Sequence, residues 1–549
     1  MKMSYDELSQ ERKKLQEEGR IPEWYTTAAW QLFKSKYLYQ ADDVNSQFKR
    51  IAKTAASHLP VEHRDKAESK FYEMMHRGTL SCATPVLSNT GTDRGLPVSC
   101  QGSDFGDSIY SFYETRKQLA IHSQKGFGTS GYLGDVRPRG SSIKGGGKAE
   151  GILPLFKGLV QDMQYVNQGG VRRGNFAGYV PLMHPDFDEL VDYIHPNPDD
   201  FNIGWNVYAK DIEDLTTGKP EVTRRYQKAM ARLKMPKGRG YWFFPDKANA
   251  RAPEAIKKSG VPIKASNLCT EIMLSSNEVY NFVCVLSSAN LIHWEYLKTS
   301  DDIFWMVVFL ACINKEFILK AKGIPGLEKS VKFAEDYAAL GLGALGWHSL
   351  LQKERITWGS FEAHMLNNQI FAFMQSEALR ANKWLAEVFG ESKWTEGLGI
   401  HSSTTMAIAP TKSTAALMAG MSEGINPDPS MVFTQDTPAG EVNRINPFLL
   451  DIMKEKGVYT QEEVDKIASN GGSVQGCEWL TDHEKAVFLN AFELNMKDHI
   501  RLCASRQQFI DQGQSINLFF SGDADAGWIS EVHQEAFELS LYTSPSPRD

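Results

Sequence analysis

The segment Asn267-Leu268-Cys269-Thr270-Glu271 places an amide, a thiol and a carboxylate at alternate positions. On an extended strand or loop these three side chains point to one face, because alternate residues share a side. On a helix Cys269 would point away from the other two. The pattern therefore presents one amide, one sulfur and one acid or base to a single small molecule. By itself it is weak, since a buried cysteine is more often a small core hydrophobe.

Composition excludes several classes of function. The 549 residues are 42% hydrophobic, so the chain can bury a large core. The net charge of −7 and the absence of a basic stripe argue against a nucleic-acid partner. The longest apolar run, residues 303–313, is far shorter than the roughly 20 residues of a membrane span, so we expect a buried helix and no membrane. The polar N-terminus lacks the apolar stretch of a signal peptide.

The cysteine count indicates the compartment. Seven cysteines, an odd number with no Cys-x-x-Cys, do not form a typical disulfide framework. A reducing, cytoplasmic location is therefore expected. In that setting a pair of cysteines that oxidises is more often catalytic than structural.

The pattern of polar and apolar residues changes along the chain. Residues 1–78 are polar and helical in pattern, and from Thr79 short apolar runs alternate with turns and longer helical patterns. Such alternation predicts an α/β protein with a parallel sheet or barrel over residues 79–426. Residues 427–495 are charged and mainly helical, which predicts a small subdomain, and residues 496–541 are expected to return to the barrel.

Two further cysteines and one loop identify a family. They are Cys100 in Pro97-Val98-Ser99-Cys100, Cys284 in Val283-Cys284-Val285-Leu286-Ser287, and the segment Pro410-Thr411-Lys412-Ser413-Thr414. Together with residues 267–271 they make the chain resemble the large catalytic subunit of class I ribonucleotide reductase, from about Thr79 to Leu541. The resemblance implies a ten-stranded α/β barrel made of two five-stranded halves, with the Cys269 loop running through its centre.

The resemblance also implies roles for the catalytic residues. Cys269 would become a thiyl radical that takes a hydrogen atom from the ribose, Glu271 would accept the 3′-hydroxyl proton, and Asn267 would orient that hydroxyl. Cys100 and Cys284 would supply two electrons and two protons by closing to a disulfide. The remaining cysteines match no motif of the family and are expected to be structural: Cys82, Cys312, Cys477 and Cys503.

A loop that leads into a helix N-terminus favours an anion, because its backbone N–H groups and hydroxyls are available to bind it. The segment Pro410-Thr411-Lys412-Ser413-Thr414 precedes a helical run in this way, and in the family such a segment holds the substrate diphosphate. An ordinary helix cap is the alternative. Thr84 and Ser99 match positions at which the family contacts the substrate.

A second nucleotide site is implied for allosteric effectors, namely deoxyribonucleoside triphosphates or ATP. Asp107 stands seven residues after Cys100, as in the effector-binding motif of the family, and Arg137 matches the arginine that binds the effector phosphate. The glycine-rich loop at residues 168–174 contains Arg172, whose planar guanidinium can contact phosphate or base. A solvated surface loop is the alternative.

The resemblance predicts partners as well. We expect a homodimer, a small subunit whose two-metal centre generates the radical, and thioredoxin or glutaredoxin as reductant, with no cofactor bound in this chain. Two departures stand out: little precedes Thr79 where many relatives carry an ATP-binding module, and residues 542–549 contain neither the Tyr-Tyr pair nor the tail cysteines of relatives. The sequence is therefore expected to be C-terminally truncated.

Other functions fit parts of this pattern. A cobalamin-dependent reductase shares Asn-x-Cys-x-Glu and needs no Tyr-Tyr pair. A regulatory nucleotide-binding relative that has lost catalysis is the non-enzyme alternative, and the intact catalytic motif and cysteine pair argue against it. A glycyl-radical enzyme would need a different setting around Gly527. The motif at residues 341–346 matches Gly-x-Gly-x-x-Gly, but a helix is predicted before it where a dinucleotide site needs a strand. Packing of a helix against the barrel is the expected reason for those glycines.

Overall fold

The computed structural model describes residues 4–168, 172–200, 202–437, 440–539 and 541–544. Side chains at 167–173, 434–443 and 544 lie outside that part, and so do residues 545–549 of the predicted anomalous tail. None of the described helices combines the length and the apolar character that crossing a membrane would require.

Helices make up about half of the described chain. Their bounds are α1 (Tyr5–Glu17), α2 (Thr27–Leu32), α3 (Val44–Ala56), α4 (Val61–Arg77), α5 (Thr84–Asn89), α6 (Ile109–Gln124), α7 (Ile152–Tyr165), α8 (Phe187–Ile194), α9 (Ala209–Thr216), α10 (Pro220–Ala229), α11 (Met235–Lys237), α12 (Pro245–Ala250), α13 (Glu254–Lys258), α14 (Trp294–Leu297), α15 (Asp302–Ala321), α16 (Glu328–Tyr337), α17 (Trp347–Lys353), α18 (Phe361–Phe389), α19 (Lys412–Leu417), α20 (Pro447–Glu455), α21 (Gln461–Ser469), α22 (Asp482–Val487), α23 (Met496–Gln507) and α24 (Ala526–Glu538). A π-helical turn covers Phe33–Tyr37.

The strands are shorter and occur between the helices. Their bounds are β1 (Leu80–Cys82), β2 (Cys100–Asp104), β3 (Gly128–Tyr132), β4 (Asn167–Gln168), β5 (Arg172–Arg173), β6 (Phe176–Pro181), β7 (Asn202–Asn206), β8 (Tyr241–Phe243), β9 (Phe282–Asn290), β10 (Leu340–Leu345), β11 (Val432–Thr437), β12 (Gly440–Ile445) and β13 (Thr543–Ser544).

One nine-stranded sheet organises the described chain. Its order is β1-β9-β2-β3-β6-β7-β8-β13, with β10 also paired to β9. Strands β2, β3, β6, β7 and β8 run parallel to their neighbours in this order, whereas β9 is antiparallel to β2 and parallel to β10. This sheet, together with the helices that alternate with its strands, confirms the predicted α/β class. The ten-stranded barrel in two halves remains a prediction.

Buried helices cover the sheet, and the helical N-terminal region packs onto it. Helix α15 is buried along almost its whole length, which explains the apolar run at residues 303–313. Helices α3 and α4 contact α15, so the N-terminal helices share the main hydrophobic core with β9 and β10. Helix α1 begins with a capping box, in which the side chains of Ser4 and Glu7 each accept the backbone N–H of the other residue.

The glycines at residues 341–346 serve strand packing and not helix packing. Gly341 and Gly343 lie in β10, after α16, so the predicted helix before the motif is present. A side chain at Gly343 would approach the Ala407 carbonyl oxygen to 2.7 Å, and one at Gly341 would approach the Cys284 sulfur to 3.1 Å. The expectation of a packed helix was therefore wrong: the neighbours are a backbone segment and a strand.

Residues 431–488 have a hydrophobic cluster of their own. It is formed by β11, the helices α20 to α22 and the turns between them, and it is separate from the main core. The β11–β12 hairpin was not anticipated in a segment predicted to be mainly helical. The predicted domain boundaries remain predictions.

Candidate active site and effector pocket

The two predicted reductant cysteines face each other across two strands. Cys100 begins β2, and Cys284 lies directly opposite it in the antiparallel strand β9. Residues opposite each other in such a pair have Cα atoms about 4.5–5.5 Å apart, within the range of about 4.4–6.8 Å that a disulfide bridges. Both side chains are buried. The fold thus brings together two cysteines that are 184 residues apart in the chain.

The catalytic segment is a turn and not an extended strand. Residues 268–270 form the turn, and Thr270 has a φ of +72°. Asn267 and Glu271 still converge, but on the Cys100 sulfur: the Asn267 amide donates to it at 3.0 Å, and the thiol donates to a Glu271 oxygen at 3.8 Å. The expected alternation of an extended chain was therefore the wrong reason for their proximity. Cys269 lies within the turn and is partly exposed, whereas Asn267 and Glu271 on either side of the turn are buried.

Two tyrosine hydroxyls hold this turn at consecutive carbonyls. Tyr179 of β6 donates to the Asn267 carbonyl at 2.7 Å, and Tyr241 of β8 donates to the Leu268 carbonyl at 3.1 Å. Burial, with the nearby Tyr241, raises the pKa of Tyr179 far above its usual value, so its hydroxyl stays a neutral donor. These contacts hold a β-branched residue, Thr270, in the left-handed region, where such residues are strained.

Gln512 links the turn to the second reductant cysteine. Its amide nitrogen lies 3.6 Å from the Cys284 sulfur, and its carbonyl oxygen accepts the Met273 N–H at 3.1 Å. Burial raises the pKa of the Cys284 thiol, and the nearby Glu271 adds to this, while the Gln512 hydrogen bond acts in the opposite direction. This thiol is therefore kept protonated, as a donor of hydrogen needs to be.

The predicted diphosphate segment lies beside the N-terminal helices. Thr411 has a φ of +55° and caps the six-residue α19, and its hydroxyl accepts the Gly424 N–H at 2.8 Å. Lys36 donates to the Ser413 hydroxyl at 3.3 Å. Pro410 and Ser413 are half-buried, Lys412 is exposed and Thr414 is buried.

The other two predicted substrate residues lie just outside two strands that both pair with β9: Thr84 follows β1, and Ser99 precedes β2. Thr84 begins α5, and its hydroxyl lies 3.1 Å from that of Tyr37 in the π-helical turn. Since Lys36 precedes Tyr37, one turn contacts both predicted substrate segments. Ser99 is buried next to Cys100, and its hydroxyl has no hydrogen-bond partner among the described residues.

A separate cavity of about 580 Å³ lies beyond the opposite end of β2. Asp107 and Arg137 line it and form an ion pair of 2.7 Å, and the Arg137 backbone N–H also donates to Asp107 at 3.1 Å. The two predicted effector residues, 30 positions apart, are thus in direct contact. The cavity is also lined by Ser108, Ile109, Phe112, Arg116, Ile143, Lys148, Glu150 and Leu155.

Comparison with known proteins decides the family. The profile described as "Ribonucleotide reductase, barrel domain" matches residues 98–200, 206–397 and 393–544, and the profile described as "Ribonucleotide reductase, all-alpha domain" matches residues 23–95. The chain belongs to the ribonucleotide reductase large-subunit family. It is a catalytic subunit of that oxidoreductase, as the sequence predicted.

Individual relatives match over most of the chain. A Frog virus 3 protein named as a putative ribonucleoside-diphosphate reductase large subunit is 30% identical, covering 91% of this chain and 90% of that protein. A Thermoplasma acidophilum protein named as a vitamin B12-dependent ribonucleoside-diphosphate reductase is 27% identical, and the match covers 86% of this chain and 64% of that protein. The solved structure of an Actinobacillus ureae class Id ribonucleotide reductase alpha subunit matches with a TM-score of 0.89 at 37% identity, covering 96% of this chain and 97% of that one.

Within this reductase fold, some predicted residues are placed only in part. Arg172 lies in β5, which pairs with β4. The side chain of Arg172 and the loop residues 169–171 lie outside the described part. The four cysteines expected to be structural are buried: Cys82, Cys312, Cys477 and Cys503.

Several site residues of the reductase were missed in the sequence. Tyr179, Tyr241 and Gln512 carry no motif of their own, because each acts through a tertiary contact. Gly341 had a signal, the glycine motif, but it was interpreted as helix packing and not as the space that the Cys284 sulfur needs.

Proposed function

We propose that the chain reduces ribonucleoside diphosphates to 2′-deoxyribonucleoside diphosphates by thiyl-radical chemistry. Cys269 abstracts the 3′ hydrogen atom, Glu271 takes the 3′-hydroxyl proton, and Asn267 orients that hydroxyl. Cys100 and Cys284 close to a disulfide as the 2′-hydroxyl leaves as water. The diphosphate substrate is supported by the names of the viral and bacterial relatives.

One observation carries this proposal. Cys100 and Cys284 are paired residue for residue across β2 and β9, and Asn267 and Glu271 both contact the Cys100 sulfur. A redox pair, an amide and a base thus meet in one buried place, next to a partly exposed third cysteine. A structural role for these groups would not require a carboxylate to be buried against a thiol.

The substrate phosphates are proposed to lie at residues 410–414, with Thr84 and Ser99 nearer the sugar. Support comes from the hydroxyls that cluster there and from Lys36, which donates to Ser413 and adds a positive charge. Effector nucleotides are proposed to bind the cavity at Asp107 and Arg137, with Arg172 at its glycine-rich loop. A cavity of about 580 Å³ has the size of a typical small-molecule site.

The radical source and partners are proposed from the family. A small subunit with a two-metal centre would supply the radical, the chain would form a homodimer, thioredoxin or glutaredoxin would reduce the pair, and the location would be the cytoplasm. A cobalamin-dependent source is the second candidate, favoured by the relative from Thermoplasma acidophilum. Turnover on addition of adenosylcobalamin alone would decide for that second source.

The finer architecture is part of the proposal. We infer that β2, β3, β6, β7 and β8 form one five-stranded half of a barrel. Isolated parallel bridges join Leu342 to Met406 and Ile408 to Gln514, which supports a second half that continues from β9 and β10 through these segments. The small helical subdomain would then be residues 427–495, as its separate hydrophobic cluster supports.

Replacement of Cys269 tests the function. Cys269→Ser keeps the size of the side chain and removes the sulfur, so reduction of a ribonucleoside diphosphate should fall to background while effector binding stays unchanged. Cys477→Ser is the matched control, because Cys477 lies in the separate cluster at residues 431–488. Turnover by the Cys269→Ser protein would overturn the thiyl assignment.

A further inference from the structure

Each sulfur of the Cys100–Cys284 pair is contacted by its own amide group. The Asn267 amide nitrogen donates to the Cys100 sulfur at 3.0 Å, and the Gln512 amide nitrogen donates to the Cys284 sulfur at 3.6 Å. Both amide side chains are fully buried. Asn267 comes from the catalytic turn, but Gln512 comes from a segment 245 residues later that carries no other predicted function.

The orientation of Gln512 is determined by its other partners. Its carbonyl oxygen accepts the Met273 N–H, which directs the nitrogen to the opposite side. There the nitrogen also donates to the Leu340 carbonyl at 2.9 Å and the Thr404 hydroxyl at 3.0 Å. The Cys284 sulfur therefore shares the two N–H hydrogens of the Gln512 amide with these two oxygens. Gln512 therefore contacts the Cys284 sulfur, β10 through the Leu340 carbonyl, and the chain just after the predicted catalytic turn through the Met273 N–H.

Cys284 needs such a donor more than Cys100 does. Cys284 is 0% exposed, whereas Cys100 is 5% exposed, so water cannot solvate a charge on the Cys284 sulfur. The carboxyl groups near it, Glu271 and Asp511, oppose a negative charge there and raise the thiol pKa. Among the described groups that act on this thiol, the Gln512 amide is the one that favours its thiolate.

We propose that Gln512 stabilises Cys284 as the leaving thiolate when an external dithiol reopens the Cys100–Cys284 disulfide, an inference that rests on the proposed role of this pair. The external thiolate attacks Cys100, the more exposed sulfur, and forms a mixed disulfide. The Cys100–Cys284 bond breaks, and Cys284 leaves with the electron pair while the Gln512 N–H donates to it. Cys284 then takes a proton, and the second thiol of the dithiol releases Cys100. Two electrons pass from the dithiol to the pair.

Gln512→Glu is the direct test. Glutamate keeps the oxygen that accepts the Met273 N–H and replaces only the donor, and Gln512→Met removes the donor without adding charge. Gln514→Glu is the matched control: Gln514 is also buried two residues away, but its amide donates to the backbone carbonyl of Cys503 and the side-chain oxygen of Gln507. Folding of each full-length protein is checked by circular dichroism.

The measurement is the rate at which dithiothreitol reduces the Cys100–Cys284 disulfide, followed by alkylation and peptide mapping. We expect both Gln512 variants to slow reduction about 10- to 100-fold, as the loss of a hydrogen bond to a charged group implies, with the Gln514 variant within about twofold of the native protein. The ratio of the Gln512→Glu rate to the native rate should rise at low pH, because the introduced carboxyl group can donate again once it is protonated. A purely structural role would not produce that recovery.

Two contrary results would have different meanings, one for the role of Gln512 and one for the cysteine pair itself. A native-like rate in both Gln512 variants overturns the role of Gln512 and leaves the cysteine pair intact. If mild oxidation of the native protein leaves Cys100 and Cys284 as free thiols, the reductant pair is wrong and the inference falls with it.

Discussion

The two ends of strand β2 differ in almost every physical respect. Cys100 begins the strand in a dry site where thiols, amides and one carboxylate contact each other. Asp104 ends the strand, and three residues later Asp107 pairs with Arg137 in an open cavity, with these two side chains 32% and 39% exposed. Five residues of strand span roughly 13 Å between their end Cα atoms. The proposed reduction, which requires exclusion of water, thus lies close to the proposed effector site, which would have to exchange a nucleotide with solvent.

Because of this difference, the two ends of β2 should respond differently to substitution. A buried sulfur pair is sensitive to small displacements, because its hydrogen bonds and packing have no solvent to replace them. An exposed ion pair is weakened by salt and tolerates movement. Changes at the catalytic end should therefore alter the rate of the reaction, and changes at the effector end should alter binding.

The largest effect is expected at the catalytic end. Glu271→Gln keeps the volume of the buried side chain but removes the base, so kcat should fall by about 10²- to 10⁴-fold, measured with a saturating ribonucleoside diphosphate. Effector affinity should be unchanged, and Cys100 should still form a disulfide with Cys284. A kcat within about tenfold of the native value would exclude Glu271 as the base.

An intermediate effect is expected in the effector cavity. Arg137→Ala removes a cation that the phosphates need, so the Kd for a deoxyribonucleoside triphosphate should rise about 10- to 100-fold by calorimetry. Arg224→Ala is the control, because Arg224 pairs with Asp188 and Glu221, which do not line the cavity. Binding to the native protein should weaken as salt is raised, whereas reduction of the disulfide should not change. Equal loss in both variants would mean that general charge, and not Arg137, holds the effector.

An effect on stability, and not on function, is expected at the end of β2. Burial raises the pKa of Asp104 to about 6, against the opposing effect of Lys264 at 2.9 Å. Because the folded protein binds this proton more tightly than the unfolded chain does, the contribution of Asp104 is fully present below its unfolded pKa. It is lost as pH rises through about 6.

The measurement is the free energy of unfolding of the native protein minus that of Asp104→Asn. This difference should fall by at most about 3 kcal/mol between about pH 4 and pH 7 in urea titrations. A difference that stays constant over this range would mean that Asp104 titrates normally. Asp135→Asn, at a more exposed partner of Lys264, should leave the pH dependence nearly unchanged.

The sequence by itself determined the family, the α/β class and most of the residues to examine. Asn267, Cys269 and Glu271 form a local pattern, and the flanking residues of Cys100, Cys284 and residues 410–414 repeat patterns of one family. The helical N-terminal region and the buried helix at residues 303–313 could also be predicted, since composition and periodicity are properties of short windows.

Only the tertiary structure decided how these residues meet. The pairing of Cys100 with Cys284 depends on the register of two strands far apart in the chain, and the convergence of Asn267 and Glu271 depends on a turn where an extended segment was expected. Tyr179, Tyr241 and Gln512 act through hydrogen bonds between distant segments, which leave no pattern in nearby residues. Short-range preferences specify elements, whereas a site made from distant elements is specified by their packing.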